Sequence, residues 1–555
     1  MNLDTRATRS AIAEAKAWRD QDPDDETRAE LDALIGDAEG GSGDAVAELE
    51  DRFSARLEFG TAGLRGALGA GPNRMNRVLV GQAAAGLAAF LISREASPSI
   101  VIGYDGRKNS HVFATDTAEI MAGAGVTATL LPRLLPTPVL AFAVRHLGAS
   151  AGVMVTASHN PAADNGYKVY LGGADAGSQI VPPSDGQIAE RILAVAGGSV
   201  LDLPRSSDYG IAGEDVLDAY VTATARLGSA TAQPRIVYTA MHGVGWETAH
   251  RVLLAAGFDE PAVVAEQLEP DPNFPTVAFP NPEEPGALDL AFLRATATDA
   301  ELIIANDPDA DRLAVGVREG AGWRRLSGNE VGLILGWRAA ERSRSGTLAC
   351  SIVSSPGLAA VAAAVGLNHV ETLTGFKWIS RAPDLVFGFE EALGYLVDPD
   401  VLRDKDGISA ALDIVSLASE LKSDGRTLAD HAEAFAERFG AFDSSQISLR
   451  FTDVLEIPRI MNRLREGPPT EIAGVGVASI DDFVAGFGDF PPGDILRIWM
   501  TDGSRIVVRP SGTEPKLKVY IDASSTVGTA RERMAAASAT VAILDGGMRD
   551  LLARS

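Results

Sequence analysis

The hydroxyl of Ser158 stands in Thr156-Ala157-Ser158-His159-Asn160-Pro161, and three carboxylates stand at alternate positions in Asp307-Pro308-Asp309-Ala310-Asp311-Arg312. The first run crowds hydrogen-bonding side chains ahead of a proline, which stops regular structure. Asp164-Asn165-Gly166 then marks a turn, and Tyr167-Lys168-Val169-Tyr170 reads as a returning strand that carries a cation. A loop of this kind is made to hold a polar group. In extended chain, alternate positions share one side, so Asp307, Asp309 and Asp311 are expected to converge. Three like charges so close are costly without a cation, and an all-oxygen donor set selects a hard ion such as Mg²⁺. Together the two runs describe a serine that carries a phosphoryl group and a divalent cation that holds it. The plain alternatives are a turn or helix cap at Ser158 and a solvated acidic turn.

Other chemistries fail on spacing. A hydrolase elbow needs glycines two positions either side of its serine, and Thr156 and Asn160 stand there. No Walker phosphate loop occurs. A calcium EF-hand loop would place Gly at its sixth position and Glu at its twelfth, where this chain has Arg312 and Arg318.

Three further loops carry polar groups suited to a phosphorylated sugar. In Gly388-Phe389-Glu390-Glu391-Ala392-Leu393-Gly394-Tyr395, the adjacent acids at a strand end can accept hydrogen bonds from sugar hydroxyls; a helix N-terminus with favourable charge explains them as well. Thr374, Gly375 and Lys377 put a cation on a glycine turn beside Trp378. Arg509-Pro510-Ser511-Gly512-Thr513-Glu514-Pro515-Lys516 offers a guanidinium, two hydroxyls and an open glycine amide, a cradle for a phosphate dianion. Arg65, in Gly60-Thr61-Ala62-Gly63-Leu64-Arg65-Gly66, is a further anion contact, and Asp105 and Arg107 read as a structural pair beside the serine loop.

These loops need rigid elements behind them. The chain has 555 residues, which at roughly 100–200 residues per domain suggests three to five domains. Ala-, Glu- and Asp-rich helices are expected over residues 1–50, ending in the loop Gly40-Gly41-Ser42-Gly43. Strands are expected at Ser99–Tyr104, Ala151–Thr156, Arg235–Ala240, Leu302–Ala305, Thr347–Val353 and Leu385–Phe389, with helical runs such as Val78–Leu91 and Gly357–Val365 between them. Such alternation predicts parallel or mixed sheets covered on both faces. Near the end, Thr501-Asp502-Gly503-Ser504 between β-rich runs signals a hairpin; a third strand, Leu517–Ile521, and a helix over about 527–544 complete an α+β domain. Linker-like stretches lie near 205–213, 318–328 and 440–446. The resulting division is 1–50, 51–208, 209–320, 321–440 and 441–555.

Composition narrows the partners. Hydrophobic content of 46% with 22% charged residues is ordinary for a globular protein. A net charge of −26 repels nucleic acid and anionic membranes, so neither is expected as a partner. An anionic substrate then requires a local basic pocket inside an acidic body. The single cysteine, Cys350, cannot close an intramolecular disulfide and fits a reducing compartment. The N-terminal run lacks the apolar core of a secretory signal. The apolar stretch Val78–Ser93 is read as a buried helix, too short to span a bilayer. A soluble, cytoplasmic monomer or dimer is expected.

With TASHNP, DPDADR, GFEEALGY and RPSGTEPK in that order, the chain resembles the α-D-phosphohexomutase superfamily of phosphoglucomutases and phosphomannomutases from about Phe59 to Tyr520. GTAGLRG, YTAMHGVGW and GFEEALGY look most like its phosphoglucomutase-2-like branch, which includes phosphopentomutases. The resemblance implies an α/β protein of four domains around a central cleft: three mixed-sheet α/β domains and a C-terminal α+β domain. It implies that Ser158 is the phosphoserine and that Asp307, Asp309 and Asp311 bind Mg²⁺ with a phosphoserine oxygen. Lys168 and Arg65 would sit near the transferred group, with Lys168 the first candidate acid/base and His159 the second. Glu390 would read sugar hydroxyls, supported by Glu391, Arg312, Thr374, Gly375 and Lys377. Arg509, Ser511, Gly512 and Thr513 would grip the non-reacting phosphate. The expected reaction interconverts hexose 1- and 6-phosphates, of glucose or mannose, with glucose 1,6-bisphosphate as activator. Ala392 stands where several members carry Ser, which leaves pentose phosphates, or bisphosphate synthesis, as alternatives; an inactive scaffold and a metal phosphatase are the alternatives of another kind.

Overall fold

Apolar, β-branched runs alternate with helical runs along most of the chain, and in the computed structural model they assemble four sheets. The structure describes residues 6–60, 63–453, 455–511 and 516–553. It divides into two compact units: the chain up to Leu326 together with Gly394–Glu420, and Ser327–Leu393 together with the chain from Leu421 onward.

The first unit holds two sheets. In the first, Ser99–Tyr104 lies between Thr127–Leu130 and Ala151–Val155, parallel to both. Asp164–Leu171 returns antiparallel beside Ala151–Val155, and Leu64–Ala67 pairs antiparallel with it in turn. Ala151–Val155 is buried at every position, as a strand covered on both faces must be. The apolar stretch around Val78 is the core helix Arg77–Arg94. Asn76 caps it, accepting from the Leu79 amide at 2.9 Å, and it packs on Ser110–Gly123 and Ser184–Val195. In the second sheet, Leu302–Asn306 runs parallel to Ile236–Thr239 and antiparallel to Leu313–Glu319. Both chemically suggestive runs therefore start where a buried strand ends at its carboxyl edge, the place where open α/β sheets gather ligands.

The N-terminal segment makes three helices rather than stopping at the glycine loop: Arg6–Gln21, Asp25–Glu39 and Gly43–Phe53. Ser42, inside that loop, caps the third by accepting from the Ala45 amide. Trp18, Leu31, Ile35 and Leu49 bury their side chains against Ala70 and Val78.

The second unit also holds two sheets. Thr347–Ser351 pairs parallel with Asn368–Thr372 and Leu385–Glu390. The other sheet is antiparallel, in the order Ala441–Arg450, Lys516–Ser525, Arg505–Pro510, Leu496–Met500, Val475–Asp482, Glu471–Ile472. The hairpin at Asp502-Gly503 forms as expected. The stretch 440–446 is no linker: it opens the strand Ala441–Arg450, paired with Lys516–Ser525 along its whole length. Its polar residues alternate on a half-buried edge strand, a pattern easily mistaken for a loop. The final helix, Ala530–Ala553, is longer than read from sequence.

Candidate active site

The acidic run is a tight turn, not extended chain. The Ala310 amide donates to the Asp307 carbonyl at 2.8 Å, and Ala310 takes a left-handed φ of 56°. That turn, rather than strand alternation, brings one carboxylate oxygen from each of Asp307, Asp309 and Asp311 within 4.8 Å of the others. All three side chains are fully buried. Thr137, at the start of helix Thr137–His146, donates its hydroxyl to Asp309 Oδ2 at 2.6 Å and its amide to the Asp309 carbonyl at 2.9 Å.

Ser158 follows the buried strand Ala151–Val155 and is itself left-handed, with φ 51°. Its amide donates to Thr156 Oγ1 at 2.9 Å. Its hydroxyl donates to Asp307 Oδ2 at 2.7 Å and lies 3.2 Å from His159 Nδ1. Only 1% of Ser158 is exposed. Two loops from two sheets thus meet at one oxygen.

Four cations surround this pair of loops. Lys168 Nζ lies 2.7 Å from Asp309 Oδ2 and 2.7 Å from Asp311 Oδ2. Lys405 Nζ lies 3.1 Å from Asp311 Oδ2. Arg312 Nε is 3.8 Å from Asp311 Oδ1, and Arg65 donates to Asn160 Oδ1 at 3.2 Å. These four cations concentrate positive charge locally in a chain of net charge −26. Sequence reasoning missed Lys405. Its signal was Arg403-Asp404-Lys405-Asp406, where flanking acids bind tyrosines: Tyr170 and Gln179 donate to Asp404 Oδ2, and Tyr220 donates to Asp406. Those anchors leave the lysine between them aimed at Asp311. Thr137 carried no sequence signal at all.

Burial and these charges set the protonation states. Burial pushes the Asp307 carboxyl well above the usual range, and neighbouring Asp309 and Asp311 push it further. Burial works the same way on Asp309 and Asp311, but Lys168 outweighs it at both, helped by Lys405 and Arg312 at Asp311, and holds them low. Burial opposes the charge on Lys168, yet Asp309 and Asp311 raise its pKa and keep it protonated. Burial, then Arg312 and Arg65, hold the His159 imidazole neutral. Among the described residues, Asp309 Oδ1 and Asp311 Oδ1 are buried without hydrogen-bond partners, an expensive state for carboxylate oxygens. Bare oxygens on converging carboxylates, one of them driven toward its neutral form, fit a hard divalent cation.

The loops expected from sequence to bind sugar and phosphate lie in the second unit. Glu391 is engaged internally: its Oε2 accepts from the Ser351 and Ser354 hydroxyls at 3.0 and 3.1 Å. Glu390 ends the strand Leu385–Glu390, half-buried. Gly375 takes φ 109° ahead of the short helix Phe376–Ile379, with Thr374 just before it and Lys377 Nζ 6.0 Å from the Trp378 ring centre. Arg509 lies near the end of Arg505–Pro510, and the Ser511 amide donates to the Lys516 carbonyl at 2.8 Å. Gly512 and Thr513 lie outside the described residues.

Four family models match in order. They are phosphoglucomutase/phosphomannomutase alpha/beta/alpha domains I, II and III, over residues 56–196, 218–320 and 327–439, and the C-terminal domain over 456–539. The chain belongs to this family. A "Probable phosphomannomutase" of Haemophilus influenzae is 55% identical over 86% of this chain and 98% of that protein. A human "Phosphopentomutase" is 35% identical over 87% of each chain, and a Staphylococcus aureus "Phosphoglucomutase" is 35% identical over 85% of this chain and 91% of that one. Among solved structures, a phosphoglucomutase/phosphomannomutase family protein from Burkholderia thailandensis superposes with a TM-score of 0.69 at 20% identity, over 90% of this chain and 97% of that one; at that identity it attests the fold. The phosphohexomutase chain described here is accordingly an isomerase of the sugar-phosphate mutase type.

Proposed function

We propose that this mutase moves a phosphoryl group between C1 and C6 of a hexose phosphate, glucose or mannose, by way of phospho-Ser158. The observation that carries the reading is the 2.7 Å hydrogen bond from the Ser158 hydroxyl to Asp307, one of three buried, converging carboxylates. Asp307, Asp309, Asp311 and an oxygen of the phosphorylated Ser158 would hold Mg²⁺, which when bound spreads the negative charge of the transferring group.

In the forward half, the P–Oγ bond of phospho-Ser158 breaks as a bond forms to the free hydroxyl oxygen of the sugar monophosphate. The hydroxyl proton passes to a base, and the departing Ser158 oxygen takes up a proton. The bisphosphate turns over, its other ester bond breaks, and the Ser158 hydroxyl gives up its proton as it takes that phosphoryl group back, while the released sugar oxygen regains a proton. Arg65 and Arg312 bind the group in transit, and positioning supplies most of the remaining rate. Lys168, which holds a proton, is the proposed donor; neutral His159, beside the Ser158 oxygen, is the second candidate for the acceptor. Glu390, Thr374, Gly375 and Lys377 are assigned to the sugar, with Glu391 bracing its loop. Arg509 and Ser511, with Gly512 and Thr513, are assigned to the non-reacting phosphate. Glucose 1,6-bisphosphate would prime Ser158.

A pentose reading has its own support, in the phosphopentomutase relatives and in Ala392, which offers no hydroxyl to a hexose. One experiment tests both. With Mg²⁺ and a trace of glucose 1,6-bisphosphate, ³¹P NMR follows glucose 1-phosphate, mannose 1-phosphate and ribose 1-phosphate. Migration of the signal to the terminal hydroxyl of a hexose supports the reading. Faster ribose turnover replaces it with the pentose reading, and free phosphate alone would make the protein a phosphatase.

A further inference from the structure

Ser158 holds a left-handed backbone, φ 51°, which is strained for a residue with a side chain. Something must hold it there, and the loop after it contains no regular element. Its own bonds are short-range: Asn160 amide to Ala157 carbonyl at 3.0 Å, and Asp164 amide to Pro161 carbonyl at 3.0 Å. Four carbonyls of the loop converge on a single side chain. Arg107 Nη2 donates to the Ser158 and Asn160 carbonyls, each at 2.6 Å, and Nη1 donates to the Pro161 and Asp164 carbonyls at 2.7 and 3.1 Å.

We propose that Arg107 is the positioning residue of the reaction: its guanidinium fixes the Ser158 loop in the one conformation that aims the Ser158 oxygen at the acidic turn. The two terminal nitrogens of a guanidinium carry four N–H groups in a rigid plane, and here four backbone carbonyls receive them. A lysine has three donors at one point and cannot span the same set. The guanidinium is itself fixed from behind. Its backbone amide donates to Asp105 Oδ1 at 3.0 Å, Ser110 donates to the same oxygen at 2.6 Å, and Asp105 Oδ2 lies 3.5 Å from Arg107 Nε. The ring of Phe274, reaching over from the neighbouring sheet's loops, lies 4.9 Å from the guanidinium carbon. Only 4% of Arg107 is exposed, so the charge answers to the loop and to Asp105 rather than to solvent. Charge-assisted bonds of this kind are about twice as strong as neutral ones, enough to offset the strain at Ser158.

The proposal rests on the mutase reading, and wild-type protein separates the two failures. Arg107→Lys and Arg107→Ala are compared with it by steady-state kinetics and by hydrogen–deuterium exchange of residues 157–165. A displacement near 1 Å costs on the order of 100-fold in rate, so Arg107→Ala should lose about that in kcat while KM stays within about twofold. Arg107→Lys should lose tenfold or more although it keeps the charge, and added guanidinium ion should restore part of kcat to Arg107→Ala. Exchange should rise in residues 157–165 of both variants and not in the strand Ala151–Val155. If Arg107→Ala does not fold, Arg107→Lys alone decides. A folded Arg107→Lys with wild-type kcat, or with wild-type exchange in the loop, overturns the proposal. Wild-type protein without turnover on any sugar sinks the mutase reading instead, and the exchange comparison then decides for or against the clamp.

Discussion

Gly243 is the position where a single added carbon should separate catalysis from folding. It lies in His242-Gly243-Val244-Gly245, just after the strand Ile236–Thr239, and this loop braces the acidic turn: the Val244 amide donates to the Pro308 carbonyl at 2.8 Å. A Cβ at Gly243 would sit 2.3 Å from Pro308 Cα and 2.4 Å from its carbonyl oxygen. Both are backbone atoms, so no side chain can swing aside. To restore ordinary contact, Gly243→Ala must push Asp307-Pro308-Asp309 outward by roughly 1 Å, at an overpacking cost of about 1–3 kcal/mol. Such a shift spreads carboxylates whose oxygens now lie within 4.8 Å of one another. The expected result is a half-saturating Mg²⁺ concentration raised about tenfold or more and a kcat lowered on the order of 100-fold, with a folded protein of moderately reduced Tm. The assay is mutase turnover against Mg²⁺ concentration, with thermal melting alongside. Gly36→Ala is the control: an added Cβ there meets nothing within 4 Å in the helix Asp25–Glu39, so stability should hold or rise and the Mg²⁺ requirement should not move. A Gly243→Ala protein with wild-type Mg²⁺ dependence and kcat would refute the reasoning that this contact sets the turn.

Three other outcomes are expected. Arg509→Ala should raise KM by roughly 10- to 100-fold, the worth of a charge-assisted hydrogen bond, while intact mass still finds Ser158 phosphorylated; an unchanged KM removes Arg509 from the phosphate grip. Chelation with EDTA should abolish turnover and readdition of Mg²⁺ should restore it, and turnover that survives exhaustive chelation counts against the role given to the three aspartates. His431 stacks on Trp337 with ring centres 4.2 Å apart, and burial, then Arg426 and Arg338, lower its pKa from 6.5 to about 4. Its unfolded form therefore binds protons first as pH falls. Stability should drop between pH 6.5 and pH 4 by up to about 3 kcal/mol, and denaturant melts of His431→Phe across that range should show a correspondingly flatter profile.

The sequence was most legible where one local rule decided the outcome. Buried strands such as Ala151–Val155 and Leu302–Asn306 announced themselves as apolar runs, and the hairpin at Asp502-Gly503 by its turn residues. Legibility failed where tertiary pairing overrode a polar pattern, as in Ala441–Arg450. At the site, Ser158 and the three aspartates stood out because four unusual residues sit in two short runs. The geometry behind the aspartates did not: convergence comes from a left-handed Ala310, a conformation that no alanine advertises. Lys405 and Thr137 lie far from both runs in sequence, and only the fold brings them to Asp311 and Asp309.

Burial also bears on which acceptor the phosphoryl group meets. A phosphatase must admit water to the phosphorus, and a site that activates a phosphoserine for transfer would pass the group to any water held in line with it. Here Ser158 is 1% exposed and every carboxylate of the triad is fully buried, so the serine oxygen is shielded from bulk water. A sugar phosphate brings what water lacks, a non-reacting phosphate for which the Arg509 loop is the proposed grip. Binding energy from that group offsets the cost of opening the pocket, while water has none to contribute. Selectivity for a sugar hydroxyl over water then follows from charge and burial together. Replacing Lys405 by Met removes one cation without touching Ser158, and should therefore raise the ratio of phosphate release to sugar isomerisation, measured in one ³¹P NMR time course. A fall in turnover with that ratio unchanged would mean that the cations serve rate alone and that water is excluded by other means.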